Sequence, residues 1–434
     1  MDLNTIKVGI FGLGHIGLPT AAILANNHIN VIGIDVNPKV VDMINNEASV
    51  YFKEPYLDEL LKKAIQSNYL HATTDEIKAS QECNIFIVIV PTPTYDDKTA
   101  DLSYVISACE SIKNGLKKDD LVIIESTVPP QTGVDVIKPI LEESGLKCGE
   151  DFMLAYSPER ALPNNTIYEM THNVRIIGGY NTKSADMAEK LYKNITQGEI
   201  IKVKNITSAE MIKLMENTYR DVNIALANEF ALICENINVD VNEVITAANY
   251  HPRVNIHTPG PGVGGHCIPV DPYFLVELAN AYDTDAKLIS EARRINNSMP
   301  QHVIDILLDN ILDKTSDYTV SVLGIAYKGN VDDIRESPSI KLIELLKQLE
   351  LKVLVNDPYV SCDVIKSFDV ECVNLDEALK SDCVILMTDH HEYINITPDM
   401  LENKFIIATR PILDADEFRK AGINYQAIGN LDEF

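Results

Sequence analysis

The chain has 434 residues, 46% of them apolar and 23% charged, a balance that suits a globular protein of two or three domains with an ample core. Its 37 basic and 64 acidic residues leave a formal net charge of −27, spread along the chain without a basic patch, which argues against a nucleic-acid partner. No run reaches the roughly 18 apolar residues of a membrane span, Met1–Thr5 lacks a secretory leader, and eight scattered Cys without a Cys-x-x-Cys pair suggest neither a disulfide framework nor a metal site, so a reducing cytoplasm is expected.

Ile6–Phe11 is a β-branched apolar strand that runs directly into Gly12-Leu13-Gly14-His15-Ile16-Gly17 and a helix over Leu18–Asn26. A second strand, Val31–Ile34, ends in Asp35, 23 residues after Gly12. Strand, glycine turn, helix, strand and acid in that order form the dinucleotide fingerprint. The first Gly makes the turn, the second lets backbone approach a pyrophosphate, and the third packs helix on strand. The helix N-terminus takes the phosphates, and an acid at Asp35 favours NAD over NADP. Apolar strands follow at Asn84–Val90, before Pro91-Thr92-Pro93, and at Leu121–Ile124, before Glu125-Ser126-Thr127. Thr92 and Thr127 therefore stand where ligands sit in a doubly wound sheet, or simply end their strands. Asp101 is placed to cap a helix reaching about Leu116. Phe152–Ala155 leads into Tyr156-Ser157-Pro158-Glu159-Arg160, and Val174–Ile177 is expected to close the sheet.

From Thr207 the pattern becomes helical. Thr207-x-x-Glu210 reads as a capping box, and the helix runs to about Asn236, long enough to join two domains. Lys213, Asn217 and Arg220 share one of its faces. After a helix at Val241–Ala248, His251-Pro252-Arg253 breaks the chain before Pro259–Pro272, which holds four Gly and four Pro in fourteen residues. That density forbids helix and central strand, so the stretch is a shaped loop. It carries His266, Cys267 and Asp271, and presents either a reactive thiol on rigid backbone or a structural turn with an inert Cys.

A linker helix (Leu288 to about Asn310) precedes a second βα domain without a GxGxxG. Its strands are expected at Val320–Ala326, before Tyr327-Lys328, and at Val353–Val355, Cys383–Met387 and Phe405–Ala408. Ser337 caps a helix that opens with Pro338. The Val353–Val355 strand ends in Asn356-Asp357, echoing Asp35. The fold class is thus α/β: two Rossmann-like doubly wound domains joined by a long central helix and helical segment.

An NAD site and a loop cysteine together suggest oxidation through a covalent intermediate. A thiolate that adds to an aldehyde permits a second hydride loss and leaves a thioester for hydrolysis. Lys213 and Asn217 could donate to the oxyanions, and Glu159 and Asp271 could serve water. A metal enzyme using His251, His257, His266, Cys267 and Asp271 has no recognised ligand spacing, and a non-catalytic nucleotide sensor is the other alternative.

The motifs Gly12–Pro19, Glu125-Ser126-Thr127-Val128-Pro129, Ser157–Arg160, Glu210–Asn217, Gly264-Gly265-His266-Cys267, and Lys328 with Arg335-Glu336-Ser337-Pro338 together resemble the UDP-glucose/GDP-mannose dehydrogenase family over nearly the whole length. The resemblance implies NAD-dependent, four-electron oxidation of the C6 hydroxyl of a UDP-sugar by a homodimer, or a dimer of dimers. It implies that residues 1–200 bind NAD, 201–312 form a helical dimerisation segment with the Cys loop, and 313–434 bind the UDP-sugar. Cys267 would be the nucleophile, Lys213 and Asn217 the oxyanion donors, Asp271 an acid–base aid, and Glu159 and Thr127 the residues that position water. Gly12, Leu13, Gly14, His15, Ile16, Gly17, Asp35, Thr92, Thr127 and Arg335 would meet the cofactor. Glu159, Arg160, Lys213, Asn217, Arg220, His251, Arg253, Gly260, Gly264 and Lys328 would meet the substrate, with Arg253 acting across the dimer. Within the family the sequence is most similar to the branch acting on UDP-N-acetyl-D-mannosamine, which serves surface polysaccharide. Val270 and Glu125 stand where UDP-glucose enzymes carry Lys, and Ala408–Pro411 departs from the usual strand ending.

Overall fold

The computed structural model describes residues 6–46, 52, 54–162, 164–311, 318–403 and 405–431; Met1–Thr5, Pro163 and the expected boundary between residues 312 and 313 lie outside them. The chain divides into two units, residues 1–216 and 217–434.

The first unit is built on eight strands: β1 Lys7–Phe11, β2 Asn30–Ile34, β3 Leu70–Thr73, β4 Ile85–Val88, β5 Leu121–Ile124, β6 Met153–Tyr156, β7 Arg175–Gly179 and β8 Ile200–Val203. They lie in the order β3-β2-β1-β4-β5-β6-β7-β8. All neighbours are parallel except β6 and β7. The strand runs are apolar without alternation because both faces are covered. Val8, Ile10, Ile85, Ile87 and Ile123 pack into one core, and Phe11, Phe86, Val88, Val122 and Ile124 into the other. The strand order reverses between β1 and β4, and in such sheets the crevice for a ligand opens at the carboxyl ends of that pair. Two expectations are corrected. β7 does not close the sheet, because β8 pairs beyond it; β8 is a four-residue edge strand interrupted by Lys202, too short to stand out in an apolar scan. Thr207 and Glu210 form no capping box: the Asn205 side chain takes the Ser208 N–H at 2.8 Å. Glu210 instead accepts from Gln131 N at 2.7 Å and Gly133 N at 2.8 Å. It is buried there, and desolvation raises its pKa to about 7.

One helix, Ile206–Glu235, runs through the division at residue 216. The second unit carries six parallel strands: β9 Thr319–Leu323, β10 Lys352–Asn356, β11 Glu371–Cys372, β12 Cys383–Leu386, β13 Phe405–Ala408 and β14 Asn424–Ala427. Their order is β11-β10-β9-β12-β13-β14. Helices Val241–Ala248, Asp271–Ala281, Lys287–Asn310 and Pro338–Gln348 complete it. Ser337 caps the last of these from its side chain, with Pro338 following. Contrary to the expectation from spacing, Cys362 and Cys372 are disulfide-bonded, their Cα atoms 5.5 Å apart. A ten-residue separation is no recognised motif, and only the fold of the helix Cys362–Lys366 onto β11 brings the pair together. Among the described residues no helix is long and apolar enough to cross a membrane.

The helices of the second unit are joined by a buried polar chain. Arg293 Nη1 meets Asp221 Oδ1 at 2.5 Å. Asn296 donates to the same oxygen at 2.8 Å and accepts from Asn228 at 2.9 Å. Asp221 is fully buried and Arg293 nearly so, so removing one partner strands a charge. Arg293→Ala should lose about 3–5 kcal/mol of unfolding free energy, measured by denaturant titration; a loss below about 1 kcal/mol would show that the pair is solvated.

Candidate active site

In the first unit the glycine turn follows β1. Gly12 sits at φ +95°, and a Cβ there would strike the carbonyl of Ile89; one on Gly17 would strike the carbonyl of Gly12. Both positions therefore need glycine. The Gly12 N–H donates to Ile34 O at 2.8 Å, and Leu13 N–H to Asp35 Oδ2 at 3.0 Å, so the acid at the end of β2 fixes the turn. The helix Gly17–Asn26 has no side-chain cap, and its first N–H groups suit a phosphate. Gly14, His15 and Ile16 complete this cradle. Beyond β4, Thr92 Oγ1 is buried without a partner, an orphan that a ligand would satisfy. Ser126 Oγ donates to Val90 O at 2.8 Å, tying the segment with Thr92 to the one with Thr127. These residues fit a dinucleotide.

The same unit holds Glu159, Arg160 and Lys213. Glu159 Oε1 accepts from Arg160 N and Ala161 N, each at 2.7 Å, and Arg175 Nη2 meets Glu159 Oε2 at 3.0 Å. Lys213 donates to the Glu159 carbonyl at 2.6 Å. Arg160 pairs with Glu216 at 2.8 Å.

The second unit holds the loop. Gly260 N–H donates to Asn228 Oδ1 at 2.8 Å, buried, and Gly265 N–H to Arg335 O at 2.9 Å. A Cβ on Gly264 would come within 2.6 Å of Tyr327 Cβ, and Gly262 and Gly265 take φ +120° and +92°. The loop is thus pressed onto the Tyr327–Pro338 segment by glycines alone. Cys267 is half-buried, its Sγ 3.5 Å from His266 Nδ1. Its carbonyl accepts from Val270 N and Asp271 N as the chain enters the helix Asp271–Ala281. Asn217 donates to Asp271 Oδ2 at 2.6 Å, both side chains buried. Burial raises the Tyr327 phenol above its ordinary pKa, Asp333 and Cys267 raise it further, and Arg335 and Arg220 oppose. Cys267, Tyr327, Asp333, Arg335 and Arg220 therefore share one neighbourhood. Arg335 chelates Asp333 at 2.6 Å, and Lys328, which follows Tyr327 in the chain, is exposed. His251 and Arg253 stay together on a separate exposed loop, 3.5 Å apart.

Sequence reasoning passed over Asn228, Tyr327, Asp333, Arg175 and Arg410. Arg410, at the strand ending given no role, lies where a Cβ on Gly260 would meet its Nη1 at 2.7 Å, and burial lowers its pKa. No spacing signals these contacts, which are made by single residues far apart in the chain. Asp357, the echo of Asp35, is spent on its own fold: Oδ2 accepts from Ile325 N, Ala326 N and His390, and Oδ1 from Tyr359 N and Val360 N. The second sheet keeps a glycine turn after β9, with Gly324 at φ +90° donating its N–H to Asn356 O at 2.8 Å, but it has Ala326 in place of the middle glycine and no disposable acid.

Two parallel-sheet units, one with a dinucleotide cradle and one with a cysteine loop, define a two-domain NAD-linked oxidoreductase. Residues 6–196 match the NAD binding domain of the UDP-glucose/GDP-mannose dehydrogenase family, 207–298 its central domain, and 321–415 its UDP binding domain. A UDP-N-acetyl-D-mannosamine dehydrogenase of Methanococcus maripaludis is 42% identical, covering 98% of this chain and 97% of its own. An NDP-N-acetyl-D-galactosaminuronic acid dehydrogenase of Ralstonia nicotianae is 39% identical over 96% of this chain and 98% of its own. The solved structure of a UDP-D-ManNAc dehydrogenase from Pyrococcus horikoshii superposes with a TM-score of 0.91 at 39% identity, covering 99% of this chain and 100% of that one. The chain belongs to the UDP-glucose/GDP-mannose dehydrogenase family. It is an NAD-dependent nucleotide-sugar dehydrogenase, with a UDP binding domain in its C-terminal part.

Gly12→Ala should weaken NADH binding by on the order of 10²-fold, since backbone at positive φ and a blocked turn both resist a side chain. Fluorescence titration measures it, and UDP binding should be unchanged; equal loss of both would mean general unfolding.

Proposed function

We propose that the chain oxidises C6 of UDP-N-acetyl-D-mannosamine to UDP-N-acetyl-D-mannosaminuronate through Cys267, supplying an acidic sugar for surface polysaccharide in the cytoplasm. The observation that carries the chemistry is the Pro259–Pro272 loop, whose glycine-dictated backbone offers one half-buried thiol with His266 beside it. NAD, when bound, would accept one hydride in each of the two oxidations, so that two NAD are reduced in turn for each sugar. Cys267 adds to the C6 aldehyde as a thiolate, and the thiohemiacetal, once oxidised, becomes a thioester. Lys213 and Asn217 stabilise the oxyanions, with Asp271 holding the Asn217 amide. Glu159 and Thr127 position the water that releases the uronate and restores the thiol. Lys328 and Arg220 bind the nucleotide sugar along the Gly260–Gly264 wall, Arg253 with His251 beside it reaches the sugar across the dimer, and Arg335 serves the cofactor side. The choice of sugar rests on the mannosamine dehydrogenases among the relatives and on Val270 in place of an ammonium group. The galactosaminuronate enzyme supplies the rival sugar.

Wild type should form two NADH per UDP-N-acetyl-D-mannosamine and release no free aldehyde. Its kcat/KM for that sugar should exceed those for UDP-N-acetylglucosamine, UDP-N-acetylgalactosamine and UDP-glucose by at least about tenfold. Cys267→Ser should lower overall turnover by on the order of 10³-fold. A Cys267→Ser enzyme that still delivers two NADH per sugar contradicts the thiol route, whereas a different preferred sugar overturns only the choice of substrate.

A homodimer is part of the same proposal. The Ile206–Glu235 helix leaves Tyr219, Leu226 and Ile233 exposed, with Ile237 just beyond it, at spacings of seven, seven and four that keep them on one face. Such an unpartnered apolar stripe fits a second copy of the same helix. Light scattering should give a dimer for wild type and a monomer for the double variant Leu226→Glu, Ile233→Glu; a dimeric double variant would place the interface elsewhere.

A further inference from the structure

We propose that Glu125 is a positioning residue for the water-activating carboxylate Glu159, acting through the Arg175 guanidinium that the two acids share. The proposal rests on the role given to Glu159 above. Glu125 follows β5, Glu159 follows β6, and Arg175 opens β7, so three neighbouring strands bring them together. Their side chains are 0%, 10% and 6% exposed. Arg175 Nη1 meets Glu125 Oε1 at 3.2 Å and Nη2 meets Glu159 Oε2 at 3.0 Å, while Nη1 also reaches Ser157 Oγ at 3.3 Å. The Tyr192 hydroxyl donates to Glu125 Oε1, and its ring lies 4.3 Å from the guanidinium carbon. Glu125 Oε2 is buried with no partner.

Among the described residues, three groups set the charge around Glu159. Arg175 is the cation on its carboxylate, Glu125 the anion behind that cation, and Tyr192 the neutral donor to Glu125. Lys213 donates to the Glu159 carbonyl, not to its carboxylate, and Arg160 is tied to Glu216. A base that takes a proton from water must remain basic. A buried guanidinium paired with Glu159 alone would hold it ionised and weakly basic. A second carboxylate on the same guanidinium offsets that field, so two acids and one cation form a unit that tolerates a proton. Burial raises the Glu125 pKa while Arg175 opposes, as expected of carboxylates that share one cation. Two backbone N–H groups on Glu159 Oε1 fix its direction, which leaves Glu125 to adjust its charge.

The test follows the acyl adduct on Cys267 during a single turnover with NAD and the UDP-sugar that wild type oxidises. Samples are quenched in acid at intervals, the adduct is read by intact mass, and its decay rate is plotted against pH. In wild type the decay should rise with pH to a plateau. Glu125→Gln leaves the full field of Arg175 on Glu159, so the midpoint should fall by about one pH unit and the plateau rate by about tenfold. Tyr192→Phe, which only weakens Glu125 as an anion, should move the midpoint the same way by less, and it decides the matter if Glu125→Gln does not fold. Thermal unfolding monitors the fold of each variant. A wild-type midpoint in a folded variant overturns the role of Glu125, because a merely structural residue would change stability without moving the profile. Glu159→Gln should accumulate the adduct; if its adduct decays as in wild type, Glu159 is not the base and the reading beneath the proposal fails instead.

Discussion

A cysteine carried on backbone too rich in Gly and Pro for helix or strand must be held from outside, and here hydrogen bonds to loop amides do it. Asn228 of the long helix takes the N–H of Gly260, and Arg335 O takes the N–H of Gly265. Asn217, from the same helix as Asn228, fastens Asp271 where the next helix begins. Four glycines are costly to order, and these contacts offset that cost while leaving the thiol half-exposed. The buried Asp221–Arg293–Asn296 chain supports Asn228 in turn. The thiol is thus supplied by the loop, and its geometry by the helices around it.

The two Rossmann-like units show how one fold serves two ends. Each places an acid after its second strand. Asp35 holds one turn N–H and one N–H of its own loop, and remains at the edge of the glycine cradle. Asp357 is buried beneath four N–H groups and a histidine and is unavailable to any ligand. Both units turn on a glycine at positive φ after their first strand, Gly12 and Gly324, and they differ in the acid beside it, at the cradle's edge in one and buried in the other.

Much of this was legible in the sequence because it is written locally. The glycine turn, Asp35 and the apolar strands follow from period and punctuation, and the Ile206–Glu235 helix from its unbroken pattern. Short edge strands such as β3, β8 and β14 were not legible, since each has only four residues and polar ones among them. Glu210 looked like a cap because a capping box is a local rule, and it was overridden by two N–H groups about eighty residues away in the chain. Glu125 was read as a mark of the sugar; it lies in a buried ion cluster whose members are 34 and 50 residues apart from it. The disulfide and Arg410 escaped for the same reason: their partners are set by tertiary packing, for which a single sequence carries no spacing rule.

The central claim is that a sulfur atom of this chain carries the sugar between its two oxidations. Peptide mapping of enzyme quenched in acid during turnover with NAD and UDP-N-acetyl-D-mannosamine tests it most directly. A hydroxylamine-labile uronyl adduct on the peptide containing Cys267 is the predicted result. Steady formation of two NADH per sugar with no adduct on Cys267 at any time, even in the Glu159→Gln enzyme, would contradict it.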